Sequence, residues 1–293
     1  VKKLFICDAQ VHAPNRPLDA AAGVDVGGID RIDLEREMDM AGVSRTIIVP
    51  LGADQTERAM DYVRENPNRF AMMPVFPLTE EPNPKAVDLI GDLKRATEVV
   101  GMRVSFFREA SRRLLVESDL DWLWDAAAQV GMPVMINAPE NAHRVGEIAS
   151  RHPKLRILLD HMGVTPRQRY SDFNEVLSPV LALSQFGNVG IKLTQLPRAA
   201  GESYPFPTLH EPIKRVVTAF GSHRVFWGSD LSVWSWPMPW AASTRSSNPY
   251  LDYVRLFTDV LPFLTDHDKE WIMGRAVCEW IGWPVPASVV GAD

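Results

Sequence analysis

Cysteine is scarce in this chain of 293 residues: only Cys7 and Cys278 are present, far apart in sequence. No cysteine pair has metal-site spacing, and Cys7 falls inside an apolar run, so packed thiols are expected rather than a disulfide. No apolar run reaches the roughly 18 to 20 residues that a membrane span requires. The beginning of the chain also lacks the charged, apolar and cleavage regions of a signal peptide, so a cytoplasmic protein is expected, with no membrane partner. Positive charge is short as well. The net charge is -6 and no dense Lys/Arg block occurs, which argues against a nucleic-acid or anionic-lipid surface and leaves a small molecule as the expected partner. Linkers, low-complexity segments and internal repeats are missing too, so residues 1–293 read as a single domain.

What the chain does contain is a rhythm. Short runs rich in Val, Ile and Phe alternate with longer segments of helical spacing, the pattern of a parallel sheet wrapped by helices. The runs KLFICD, SRTIIVP, RFAMMPVFP, VGMRVSF, MPVMIN, LRILLD, VGIKLT and HRVFWGSD make eight. Eight strand and helix units predict an α/β fold of the (β/α)8 TIM-barrel type. Between strands four and five, Ser118 opens a helix whose apolar face is Leu120, Leu123, Trp124 and Ala127, and Gly131 closes it. Gly42 and Gly101 are expected to take the same left-handed closing position. The final segment, DHDKEWIMGRAVCEWIGW, predicts a helix with Trp271, Ile272, Ala276, Val277 and Trp280 on its apolar face. It is expected to pack on the barrel exterior and could serve a homodimer interface.

Two stretches break the rhythm, Ala13 to Gly28 and Gln195 to Pro207; both follow strands and read as walls or lids of a site. A third, around Trp234, Trp236 and Trp240, is too broken by proline for a helix before about residue 248. It reads either as a buried plug or as an apolar wall over a substrate.

Chemistry in such a barrel collects at the C-terminal ends of the strands. Strand one, ending DAQVH, alternates so that Asp8, Gln10 and His12 are expected on one face. Strand four offers Arg103 and, just beyond, Arg108; strand five Asn137; strand six Asp160 and His161; strand seven Lys192 and Thr194, with Arg198 following; strand eight Asp230. Two histidines, an acid and several cations converging by topology point to a reaction centre. Asp230, after Gly-Ser, either caps the next segment or projects its carboxylate into the barrel mouth. His161 is either fixed by its neighbours or set to hydrogen-bond a reacting carbonyl. The arginines suit a carboxylate or sulfonate.

With D-x-Q-x-H at the first strand, LDHMG at the sixth and FWGSD at the eighth, the chain resembles the amidohydrolase superfamily, in its amidohydrolase-2 branch, over nearly its whole length. That branch includes decarboxylases and lactone hydrolases, among them 2-pyrone-4,6-dicarboxylate lactonases of aromatic-compound catabolism. In metal-dependent members an H-x-H pair, a strand-five histidine and the strand-eight aspartate hold a divalent ion; the matching positions are Gln10, His12, Asn137 and Asp230. Two of four differ. The resemblance to the metal-free lactonases therefore implies no cofactor, with Asp230 activating water, His12 and His161 polarising a carbonyl, and Gln10 donating through its amide. It implies that arginines grip the substrate's carboxylates, for which Arg103, Arg108 and Arg198 are the candidates, and Lys192 is similar to a lysine common on strand seven of the branch; Asn137 and, from its aromatic loop, Trp234 are further candidates to bind substrate. The alternative is a decarboxylase or hydratase of an aromatic-derived acid using Zn or Mn on His12, Asp230 and His161. A third possibility is a binding protein on a barrel that no longer turns over.

Overall fold

The computed structural model describes residues 4–13, 31–79, 84–117, 120–165, 170, 173–231 and 248–290. The described residues contain eight strands: β1 Cys7–Val11, β2 Arg45–Ile48, β3 Phe70–Met72, β4 Met102–Ser105, β5 Val134–Asn137, β6 Ile157–Leu159, β7 Val189–Leu193 and β8 Val225–Trp227. Helices alternate with them: α1 Arg31–Ala41, α2 Ala53–Glu65, α3 Pro84–Arg95, α4 Glu109–Glu117, α5 Asp121–Val130, α6 Ala142–Arg151, α7 Asn174–Leu181, α8 Leu196–Ala200 and α9 Pro207–Phe220. After β8 come α10 Pro249–Arg255, α11 Asp266–Glu270 and α12 Ala276–Ile281.

Every ladder is parallel, in the orders β1-β2-β3 and β4-β5-β6-β7-β8. Bridges from Met72 to Val99 and from Val75 to Arg103 join the two runs on one side. On the other side the amide of Asp230 donates to the carbonyl of Gln10 at 2.8 Å, which brings the end of β8 to β1. This is the expected (β/α)8 barrel. Its interior is lined by alternate residues, Cys7, Ala9, Ile47, Ala71, Met135, Leu158 and Phe226, while Val11, Ile48, Val104, Ile136 and Ile191 pack outward against the helices.

Two expectations change. The C-terminal helix does not lie on the barrel's outer wall; Trp271, Val277, Cys278, Ile281 and Trp283 join the interior cluster and close the barrel from below. Arg45 and Arg156, at the starts of β2 and β6, donate to the carbonyls of Pro284 and Trp280. A side chain at Gly274 would strike the Phe5 carbonyl oxygen and the Cys7 amide nitrogen, so the helix touches the strand backbone directly. Its apolar face is therefore covered within the chain. Gly42 and Gly131 have the left-handed φ of 74° and 66°, but Gly101 does not; it is small because a Cβ there would press on Met73 and the Pro133 carbonyl. The stretch after β7 holds α8.

Cys7 and Cys278 are both buried free thiols, brought side by side by this closure, and burial pushes the Cys7 thiol up. No helix of the described residues is long and apolar enough to cross a membrane. Residues 14–30 and the tryptophan-rich stretch 232–247, with Trp234, lie outside the described residues. Asn248 caps α10 by accepting from the Leu251 amide at 2.9 Å, so the helix begins where the sequence predicts it.

Candidate active site

Strand β1 departs from simple alternation. Asp8 pairs with Thr46 and Val11 with Ile48, so three steps on β1 oppose two on β2: a bulge. It separates the three polar residues that alternation puts together. Asp8 turns away, accepting from the Gln10 amide at 3.0 Å, the Ser229 amide at 2.8 Å, the Ser229 hydroxyl and the Tyr250 hydroxyl at 2.9 Å. It ties β1 to β8 and α10. Burial pushes its carboxyl up to about 6 against those four donors.

Gln10 and His12 instead meet Asp230. The Gln10 Nε2 and the His12 Nε2 each lie 2.9 Å from Asp230 Oδ1, and 3.5 Å from each other. His12 Nδ1 faces the Val49 carbonyl at 2.7 Å. A carbonyl only accepts, so Nδ1 carries a hydrogen and one further proton lies between Nε2 and Asp230. Burial works to raise the Asp230 carboxyl, and the positive charge on His12 outweighs it, leaving the group lowered to about 2. Asp230 sits at a left-handed φ of 59°. Its second oxygen, Oδ2, is buried and has no partner among the described residues.

His161, on the turn after β6, is also left-handed, at φ 53°. Its backbone amide donates to Thr194 Oγ1 at 3.2 Å, and its Nδ1 lies 2.7 Å from the same oxygen. The Thr194 hydrogen has no other acceptor among the described residues, so it goes to Nδ1 and leaves Nε2 as the protonated nitrogen. Burial pushes His161 down to about 4 against the pull of Asp160 and Asp230, which keeps the ring neutral at physiological pH. A neutral imidazole of this tautomer can donate to a carbonyl without giving up its proton.

Behind these lies a buried ion network. Asp160 accepts from Arg103 Nε at 2.9 Å through one oxygen and from Lys192 Nζ at 2.9 Å through the other. Lys192 also donates to Gln10 Oε1. Burial would raise Asp160, but Lys192 and Arg103 hold it well below the usual carboxylate range. Burial pushes Lys192 down while Asp160 opposes it. Asn137 is buried at the tip of β5 and donates to Ser105 at 3.2 Å. Arg108 is exposed at the start of α4, and Arg198 is half-buried on α8.

Gln10, His12, Arg103, His161, Lys192 and Asp230 thus come together. Asp160 and Thr194 stand at strand tips in the sequence, but nothing there marks them as the partners of Lys192 and His161. Ser105 and Tyr250 carry no sequence signal at all.

Part of the superfamily uses a divalent metal, and the donor set can be tested against one. Of the candidate ligands His12, Asp230 and His161, the first two touch each other, but the Gln10 amide N–H, backed by the Lys192 ammonium, faces that pair, and the His161 ring is engaged through Nδ1 by Thr194. No group of three His, Cys, Asp or Glu suited to a metal ion occurs among the described residues. Zinc sites take at least three lone-pair donors from the protein, so these residues do not fit one.

A charged cluster at the C-terminal mouth of a (β/α)8 barrel is where enzymes of this fold place their chemistry. The amidohydrolase family model matches residues 7–276, and the chain belongs to that family. No curated protein matches it significantly. Among solved structures, it is similar to a zinc-bound amidohydrolase from Burkholderia multivorans, with 17% identity, a TM-score of 0.75 and coverage of 96% of this chain and 100% of that one. A candidate 2-pyrone-4,6-dicarboxylic acid hydrolase from Pseudomonas putida shares 17% identity with a TM-score of 0.71, covering 97% and 99%. A 4-oxalomesaconate hydratase from Rhodopseudomonas palustris shares 13% identity with a TM-score of 0.61, covering 95% and 96%. At such identities the likeness establishes the fold.

Proposed function

We propose that this enzyme opens a lactone or related cyclic ester bearing an acidic group, and that it does so without a metal. The observation that carries the reading is the Asp230 carboxylate, held by one oxygen while the other is buried and unpartnered among the described residues. Such an oxygen is placed to take a proton from water. Water attacks the ring carbonyl, its proton passes to Asp230 Oδ2, and the oxyanion accepts from His161 Nε2–H. Collapse breaks the ring C–O bond, and the proton on Asp230 goes to the departing alkoxide, giving a hydroxy acid. Among the described residues Arg103 engages Asp160 through Nε, and its two Nη groups form the fork that would grip the acidic substituent. The pyrone dicarboxylate hydrolase neighbour supports an acidic lactone from aromatic-compound breakdown as the substrate class.

The test is turnover on a panel of carboxylated, sulfonated and neutral lactones, with and without chelator. Turnover of the acidic members, unchanged by chelator, is expected. Loss of activity on chelation would refute the metal-free mechanism. The hydratase neighbour favours a second reading, water addition to an unsaturated acid by the same base; a hydrated product with no ring opened would establish it.

A further inference from the structure

Lys192 is fully buried, and the mechanism above gives it no task. Its ammonium donates to Asp160 Oδ1 and Gln10 Oε1, and lies 3.3 Å from Met135 Sδ. Three hydrogens meet three acceptors, so none is left for a substrate. The effect of this cation falls on Gln10. An amide can present either its oxygen or its nitrogen, but an ammonium can only donate. Oε1 must therefore face Lys192, which forces Nε2–H2 towards Asp230 and His12.

We propose that Lys192 is a positioning residue that locks the Gln10 amide, and that the locked amide bars a divalent cation from the Asp230–His12 pair. A cation approaching that pair meets N–H hydrogens where a third lone pair is needed. Turning the amide over would set its NH2 against the ammonium and leave one Lys192 hydrogen without an acceptor. Asp160, gripped on its far oxygen by Arg103, anchors Lys192 from behind. The line Arg103, Asp160, Lys192, Gln10, Asp230 thus alternates donor and acceptor throughout, and each member fixes the next.

This deepens the metal-free reading and rests on it for its purpose, but it is tested without substrate. Zinc chloride alone is titrated by calorimetry into the whole protein, followed by gel filtration and metal analysis. The key variant is Gln10→Glu, which keeps an oxygen on Lys192 and turns the other group from donor into acceptor. The wild type is expected to retain no stoichiometric zinc. Gln10→Glu should hold one zinc per chain, at least about a hundredfold more tightly, and Lys192→Met should gain about tenfold because its amide is free to turn. Lys192→Arg, which still donates to Gln10 Oε1, should stay at the wild-type level.

One zinc per wild-type chain would overturn the proposal, as would a folded Gln10→Glu or Lys192→Met that binds no better than wild type. If Lys192→Met does not fold, zinc gained by Lys192→Arg overturns the role of Lys192. Zinc on the wild type with chelator-insensitive turnover sinks the lock alone, whereas an inactive lactone panel leaves the zinc result standing.

Discussion

Replacing Asp230 by asparagine separates its chemical role from its structural one. The residue sits at φ 59°, where asparagine is among the few side chains tolerated, so the backbone is kept. Asparagine also retains one oxygen for the Gln10 and His12 donors. What it loses is the charge and the free acceptor. The carboxyl is lowered from 3.8 to about 2 in the folded protein, so ionised Asp230 contributes about 2 kcal/mol of stability. The sign follows from the lowered value: that contribution is complete above the unfolded value near 3.8 and is lost as pH falls through about 2. Asp230→Asn should therefore unfold about 3 °C earlier at pH 7, with the gap to wild type narrowing from pH 4 towards pH 2. Turnover on an acidic lactone should fall about 10² to 10⁴-fold, the usual contribution of a positioned base. Thermal melts and steady-state kinetics measure both. A variant keeping more than about a tenth of the activity would refute the assignment of Asp230 as the base.

Three further outcomes follow from the same geometry. His161 is lowered to about 4 from 6.5, so its neutral form contributes stability that is complete above pH 6.5 and lost as pH falls through 4; between pH 7 and 4, wild type should lose about 3 kcal/mol more than His161→Gln in urea melts. Equal losses would show that the ring is not held neutral. Arg103→Lys keeps a charge beside Asp160 but loses the fork, so KM for carboxylated lactones should rise about tenfold with kcat nearly unchanged; the same rise on neutral lactones would argue against anion binding. Gly274→Ala would place a methyl 2.8 Å from the Phe5 carbonyl oxygen and 2.9 Å from the Cys7 amide nitrogen. Backbone cannot yield cheaply, so a loss of about 1–3 kcal/mol with unchanged kcat is expected in denaturant melts.

The barrel is legible because each strand is a short apolar run stopped by turn residues, and that signal is local. The site is legible only in part. His12, His161 and Asp230 stand at strand tips and meet as topology brings them together. The parting of Asp8 from Gln10 is invisible, because nothing in DAQVH marks the bulge that inserts an extra residue. The C-terminal helix illustrates another limit: spacing shows that Trp271, Val277 and Ile281 are apolar, but not that the open end of a barrel covers them. Lys192 reads as one more polar residue near a strand tip, since its partners, Asp160 and Gln10, lie 32 and 182 positions away.

The backbone around the mouth shows why these residues stay in place. Glu140, His161, Met162, Gln195 and Asp230 all have left-handed φ values, and they follow β5, β6, β7 and β8 in turn. Each such residue other than glycine costs about 1–3 kcal/mol unless its surroundings hold it there. The holding contacts run sideways around the barrel. The Glu140 amide donates to the Gly163 carbonyl beyond β6, the His161 amide to Thr194 beyond β7, and the Asp230 amide to the Gln10 carbonyl on β1. A strained tip is thus fixed by its neighbour strand rather than by its own loop. The side chains of His161 and Asp230 are consequently aimed by the strands of the barrel rather than by the loops that carry them, which leaves loop sequence free to vary without moving the reacting groups.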